Sequence, residues 1–127
     1  MDLRSIDSPD APKPAGGYAQ AVAVSGATRT LHVSGQIPVD VEGNCPSGFA
    51  EQARLAWSNV LAQLAAAGMG VENLVKVTTF LSDRRYALEN RQVRQEVLGS
   101  HRPALTVIIT GIFDEAWLLE IEAVAAA

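Results

Sequence analysis

The stretch Leu119-Glu120-Ile121-Glu122-Ala123-Val124-Ala125 decides much of the fold. Side chains on a strand alternate between its two faces. Leu119, Ile121 and Ala123 then share one face, and Glu120 and Glu122 share the other. The apolar face asks for a covering layer. The two carboxylates repel each other and cost stability unless they are solvated or put to use. At this point two readings stay open: a solvent-facing surface, or a paired acid/base site.

Working upstream, Gly111 and Asp114 punctuate a turn before this last strand, which spans Trp117 to Ala125. Leu105 to Thr110 is a β-branched run that reads as another strand. Before it lies a helix, roughly Arg84 to Leu98, with Asp83 as its cap, Gly99 as its stop and Pro103 preventing continuation. Asn90 falls on this helix among charged residues. Arg84, Arg85, Arg91 and Arg94 form a basic cluster there, read as a solvated face. Leu74 to Leu81 is a further β-branched strand.

The first helix starts near Ser47 as a candidate N-cap. Phe49, Ala53, Trp57, Val60, Leu61, Leu64 and Ala67 recur at spacings of three and four, with Gln52, Arg54, Asn59 and Gln63 elsewhere. Gly68 and Gly70 close it. Tyr18 to Val24 and Thr30 to Gly35 read as two strands joined by the turn Ser25-Gly26-Ala27-Thr28, and a hairpin is expected between them. Tyr18 suits either a core aromatic with its hydroxyl at the surface or a pocket wall. Residues 1–17 carry three prolines and two glycines and are expected to run as an extended leader.

The expected order is β-β-α-β-α-β-β over a single domain, residues 1–127. This is an α+β fold with two helices on one face of a mixed sheet. The second sheet face would expose apolar side chains in a monomer, which points to self-association.

Composition narrows the function. The 127 residues carry a net charge of −4, which disfavours a nucleic-acid partner. One cysteine, Cys45, excludes an intramolecular disulfide. Neither a signal peptide nor an apolar run of membrane-spanning length is visible, so a cytoplasmic protein without a membrane partner is expected. His32 and His101 form no metal-ligand spacing, and no phosphate-cradling glycine motif occurs. No metal and no cofactor are expected.

Taken together, several segments resemble the RidA (YjgF) family. They are Gly16-Gly17-Tyr18-Ala19-Gln20-Ala21, Leu31-His32-Val33-Ser34-Gly35-Gln36-Ile37-Pro38, Val71 to Leu81, Asn90, and the terminal Leu119 to Ala125. The likeness covers roughly residues 14 to 125. It implies a chorismate-mutase-like fold, a homotrimer, and small-metabolite clefts at the subunit interfaces. It also implies a pocket of Tyr18, Ser34, Gly35, Asn90, Leu105 and Glu120. The implied reaction is hydrolysis of a 2-imino or enamine acid to a 2-keto acid and ammonia, with Glu120 positioning or deprotonating water.

The resemblance also implies an arginine where this chain has His101-Arg102-Pro103-Ala104-Leu105. Leucine cannot bind a carboxylate. A charged hydrogen bond is worth about 1.5–3 kcal/mol, or roughly ten- to a hundredfold in rate. The expectation is that the usual 2-imino acids are poor substrates and that the leucine wall favours an apolar or uncharged ligand, with Arg84, Arg85 and Arg102 as candidate substitutes for the anchor. The alternative is a non-catalytic metabolite-binding or regulatory module on the same fold.

Overall fold

A computed structural model describes all of residues 1–127. The elements are β1 (Asp2–Ile6), β2 (Ala21–Ser25), β3 (Thr30–Gln36), α1 (Phe49–Ala66), β4 (Leu74–Leu81), α2 (Ala87–Leu98), β5 (Ala104–Ile109) and β6 (Leu119–Ala126). Single 3-10 turns, Val71–Asn73 and Arg84–Tyr86, precede β4 and α2. The main sheet has the order β3-β6-β4-β5. Strand β6 is antiparallel to both neighbours, and β4 and β5 run parallel. The two helices pack on this mixed sheet, giving the expected α+β layers.

The alternation in β6 is realised. Leu119, Ile121, Ala123 and Ala125 are buried beneath the helices, whereas Glu120 and Glu122 face away. On α1, Phe49, Ala53, Trp57, Val60 and Leu64 form the buried stripe, and Trp57, Leu64, Leu74, Leu81, Leu119 and Ile121 make the centre of the core. Phe49 stacks on Tyr86 with ring centroids 4.6 Å apart, which ties α1 to the start of α2.

The expected hairpin between the two early strands does not form. Strand β2 pairs instead with β1, in a separate two-stranded ribbon, and β3 pairs with β6. The cause lies at the turn. Thr28 and Arg29 both donate backbone N–H groups to the Ala127 carbonyl at 2.9 Å, and Ala127 returns a bond to Arg29. This clamp delivers β3 to the C-terminal strand, where Leu31 and Val33 join Ala125 and Ala123 against the core. Residues 2–6, within the stretch expected to be a leader, supply β1.

Two further expectations change. Helix α1 begins at Phe49, and its cap is Gly48, one residue past Ser47, extended and without a side chain. Gln52 is buried, not on a polar face: its amide donates to the carbonyls of Pro46 (2.8 Å) and Ala116 (2.9 Å) and accepts from Leu118 N–H (2.8 Å). A buried amide with all these bonds made is stabilising rather than costly. It fastens the loop that leads into β6.

The open sheet face is also less apolar than expected. Register places His32, Lys76, Thr78, Thr106, Glu120 and Glu122 there beside Phe80, Ile108 and Val124. Lys76 reaches Thr106 Oγ1 at 2.6 Å across it. A mixed face of this kind tolerates water better than an apolar one.

Candidate functional site

Tyr18 lies outside β2. The glycines before it, Gly16 and Gly17, adopt φ of 125° and 75°, a region that only glycine enters freely. They turn the chain so that Ala19 donates to the Pro103 carbonyl at 3.0 Å and bridges Ala104 in parallel. This lays Tyr18 beside the edge strand β5. The Ala15 N–H donates to the phenol oxygen at 3.1 Å, leaving the phenol proton free to donate elsewhere.

Helix α2 supplies the opposite wall. Ala87, Asn90, Arg91 and Arg94 follow helical spacing and share one stripe. With Ala15, Tyr18, Leu105 and Val107 they line a cavity of about 280 Å³. The structure therefore brings together three of the six sequence-derived residues: Tyr18, Asn90 and Leu105.

The other three lie elsewhere. On β3, one extra residue is inserted between the pairs Val33–Ala123 and Gln36–Ile121, which makes a bulge at Ser34-Gly35. A Cβ on Gly35 would collide with the Glu120 carboxyl group. Glycine thus permits the close approach between β3 and the flexible end of that side chain. Glu120 lines an open hollow with Phe80, Thr110, Gly111, Ile112, Phe113 and Glu122. Ser34 lines a neighbouring hollow at the β3 edge with Gln36 and Gln63.

Sheet register explains the division. Leu105 pairs with Val77, whose side chain is buried on the helix face. Glu120 pairs with Phe80, three residues further along β4 and therefore on the opposite face. Strands β5 and β6 are also separated by β4, so two strand spacings, about 10 Å, lie between them. Leu105 and Glu120 do not meet within one protomer.

Arg94 is the residue that sequence reasoning missed. Read as part of a solvated cluster, it is only 4 % exposed. Its Nε has no hydrogen-bond partner, and the chain's one salt bridge joins other residues, Arg54 and Glu96. Burial pushes its pKa down; Arg91 nearby acts in the same direction, and Tyr18 partly offsets both. An arginine remains charged at neutral pH all the same. The available signal was its spacing of one helical turn from Asn90 and two from Ala87. The three candidate substitutes for a missing anchor lie elsewhere. Arg85 sits over the Tyr86 ring and donates to its hydroxyl at 3.0 Å. Arg102 lines a separate hollow with Met1 and Glu72, and Arg84 is exposed at the 3-10 turn before α2.

Helix α1 is not long and apolar enough to cross a membrane, and neither is α2. A sequence model of the family described as Endoribonuclease L-PSP matches residues 8–127. A RutC family protein of Pyrococcus horikoshii is 34 % identical over 122 residues, covering 94 % of each chain. The 2-iminobutanoate/2-iminopropanoate deaminase of Bos taurus is also 34 % identical over 122 residues, covering 94 % of this chain and 87 % of the relative. Among solved structures, Escherichia coli TdcF with bound serine superimposes with a TM-score of 0.74 at 31 % identity, covering 98 % of both chains. The Rid family protein YyfB of Yersinia pestis shares the fold with a TM-score of 0.86 at 23 % identity over 100 % of both. With its glycine-led Tyr18 segment, the Gly35–Glu120 approach and the two-layer fold in place, the chain belongs to the Endoribonuclease L-PSP family, the RidA (YjgF) family that its sequence resembles.

Proposed function

We propose that this protein hydrolyses a small imine or enamine to a carbonyl compound and ammonia, in clefts built between copies of the chain in a homotrimer. One copy supplies Tyr18, Asn90 and Leu105, and the adjacent copy supplies Ser34, Gly35 and Glu120. The observation that carries this reading is the separation of Tyr18, Asn90 and Leu105, which line one cavity, from Glu120 and Gly35 across the sheet, with Ser34 at the neighbouring β3 edge. Neither half encloses a substrate alone. Relatives named as 2-iminobutanoate/2-iminopropanoate deaminases support the reaction class.

The chemistry asks little of the protein. The Glu120 carboxylate accepts a proton from water as the oxygen attacks the C=N carbon, and the imine nitrogen takes up a proton. Glu120 then returns its proton to the adduct's nitrogen, the C–N bond breaks, ammonia leaves, and the hydroxyl gives up its proton to solvent as the C=O bond forms. One imine and one water give one carbonyl compound and one ammonia. Gly35 lets the carboxylate lie close to β3, and Tyr18 and Asn90 offer donors to the substrate's polar atoms. Leu105 presents an apolar wall.

The test is ammonia release from 2-iminobutanoate generated in situ, with sedimentation of the same preparation. Activity in a trimer that falls about 10²–10⁴-fold in Glu120→Gln is the expected result. Sedimentation as a monomer at micromolar concentration overturns the interface cleft. Binding of a metabolite without turnover, unaffected by Glu120→Gln, favours instead a non-catalytic or regulatory module, the reading that Leu105 most encourages. The word endoribonuclease describes the family model. A net charge of −4 disfavours RNA as this chain's substrate.

A further inference from the structure

We propose that Arg94, on helix α2, binds the carboxylate of the substrate in this protein, replacing an anchor at the position of Leu105. The inference rests on the reading above that the cleft takes a small imino acid, and it moves the anion site from strand β5 to the facing helix.

Three observations converge. Arg94 is buried and makes no hydrogen bond or ion pair within the protomer, with Nε fully enclosed and unpartnered. A guanidinium largely withdrawn from water without a counter-ion, its terminal nitrogens alone reaching the cavity side, is an arrangement that a bound anion relieves. The cavity that Arg94 lines contains no carboxylate: its other charged group is Arg91, at the exposed rim. In a chain of net charge −4, this is a local positive site. Finally, the groups around it suit a carboxylate with a short alkyl chain. The Tyr18 phenol proton and the Asn90 amide are donors, and Leu105 and Val107 form the apolar wall. Burial and the neighbouring Arg91 both disfavour the charge on Arg94, and a carboxylate would offset both.

The same geometry accounts for Leu105. With the cation on the helix, an arginine on β5 would place a further positive charge in one small cavity. A leucine there contributes contact to the substrate's alkyl group instead.

The experiment is calorimetric titration of the full chain with 2-oxobutanoate and, as an uncharged probe, butanamide. It compares wild type with Arg94→Met, Arg94→Lys and the double variant Arg94→Met/Leu105→Arg. Arg94→Met is expected to weaken 2-oxobutanoate binding by about tenfold or more without weakening butanamide. Arg94→Lys, which keeps the charge but loses the planar fork, should fall between. The double variant should recover part of the loss. In turnover of 2-iminobutanoate, Arg94→Met should raise KM more than it lowers kcat.

Wild-type affinity for 2-oxobutanoate in folded Arg94→Met, or equal losses for both probes, overturns the proposal. So does the absence of 2-oxobutanoate binding by wild type. Arg94-dependent binding with no ammonia release from any imine supports the anion site and sinks the deaminase reading. Turnover that is indifferent to Arg94→Met and Arg94→Lys leaves the deaminase reading standing and sinks this one.

Discussion

The two half-sites differ in how their side chains are held. On the sheet side, Glu120 projects from the start of β6, where it pairs with Phe80 of β4, and Gly35 leaves room for its carboxyl group. The loop feeding β6 is fastened by the three bonds of buried Gln52. On the helix side, Arg94 is buried without a partner, and buried Asn90 makes no side-chain hydrogen bond within the protomer. Arg94 Nε is one of two buried side-chain polar atoms without a partner, the other being Thr79 Oγ1 on β4, and of the two only Arg94 lines a cavity. The proposed roles, a reactive group on the sheet and a ligand site beside the helix, match this contrast. Unmade hydrogen bonds in a native interior mark a function or an absent partner more often than a defect.

The broadest way to break the comparison is to remove what both regions share. Trp57 is buried on α1 at the centre of the core. Trp57→Ala should cost about 3–5 kcal/mol, read as a lower denaturation midpoint, and should lose binding and turnover together. A variant that kept one and lost the other would show that the halves are independent of this core.

Glu120→Gln comes next and should separate the regions. Turnover should fall about 10²–10⁴-fold, while affinity for a small carboxylate on the helix side stays as in wild type. A parallel loss of affinity would mean that Glu120 also shapes the binding half. Gly35→Ala is a milder form of the same test. Its new Cβ must displace the Glu120 carboxyl group, the far end of a flexible side chain beside an open hollow, so kcat should fall with little change in the denaturation midpoint. Lower kcat with unchanged stability would show that the carboxylate moves freely. Unchanged kcat would show that its position against β3 is immaterial.

The smallest effect belongs outside both regions. Arg54 and Glu96 form an exposed ion pair at 3.3 Å between α1 and α2, with both side chains 56 % accessible. Screening makes such pairs weak. Arg54→Ala should leave turnover unchanged and move the denaturation midpoint barely at all, and any shift should vanish at high salt. A sizeable drop would mean that the packing of α1 on α2 positions the helix-side residues more delicately than the core suggests.

Much of this molecule is legible in its sequence, for local reasons. The alternation in Leu119 to Ala125 sets which β6 side chains face the core. The spacing of Phe49, Ala53, Trp57, Val60 and Leu64 sets the face that α1 buries. Asp83 caps where expected, accepting from Arg85 N–H at 2.9 Å. Motif order sufficed to name the family and to single out Tyr18, Asn90, Gly35 and Glu120.

Periodicity did not decide which strands pair, because partner choice depends on distant chain. Only the folded C-terminus could draw β3 away from β2, through Thr28, Arg29 and Ala127. Nor did it reveal that Leu105 and Glu120 face opposite ways, since that follows from the register of both strands against β4. The burial of Gln52 and Arg94 escaped it for a related reason. A polar residue on a helix is assigned to water by composition, but its fate is set by what packs over it. For Gln52 that is a loop with bonds to receive, and for Arg94 a cavity that offers none. The sequence by itself determined the helices, the strands after residue 17, the inward faces of α1 and β6, and the family. Tertiary structure alone decided strand partners, the separation of the half-sites and the unpaired cation in the helix-side one. Pattern is a property of neighbours along the chain, whereas pairing and burial are properties of neighbours in space.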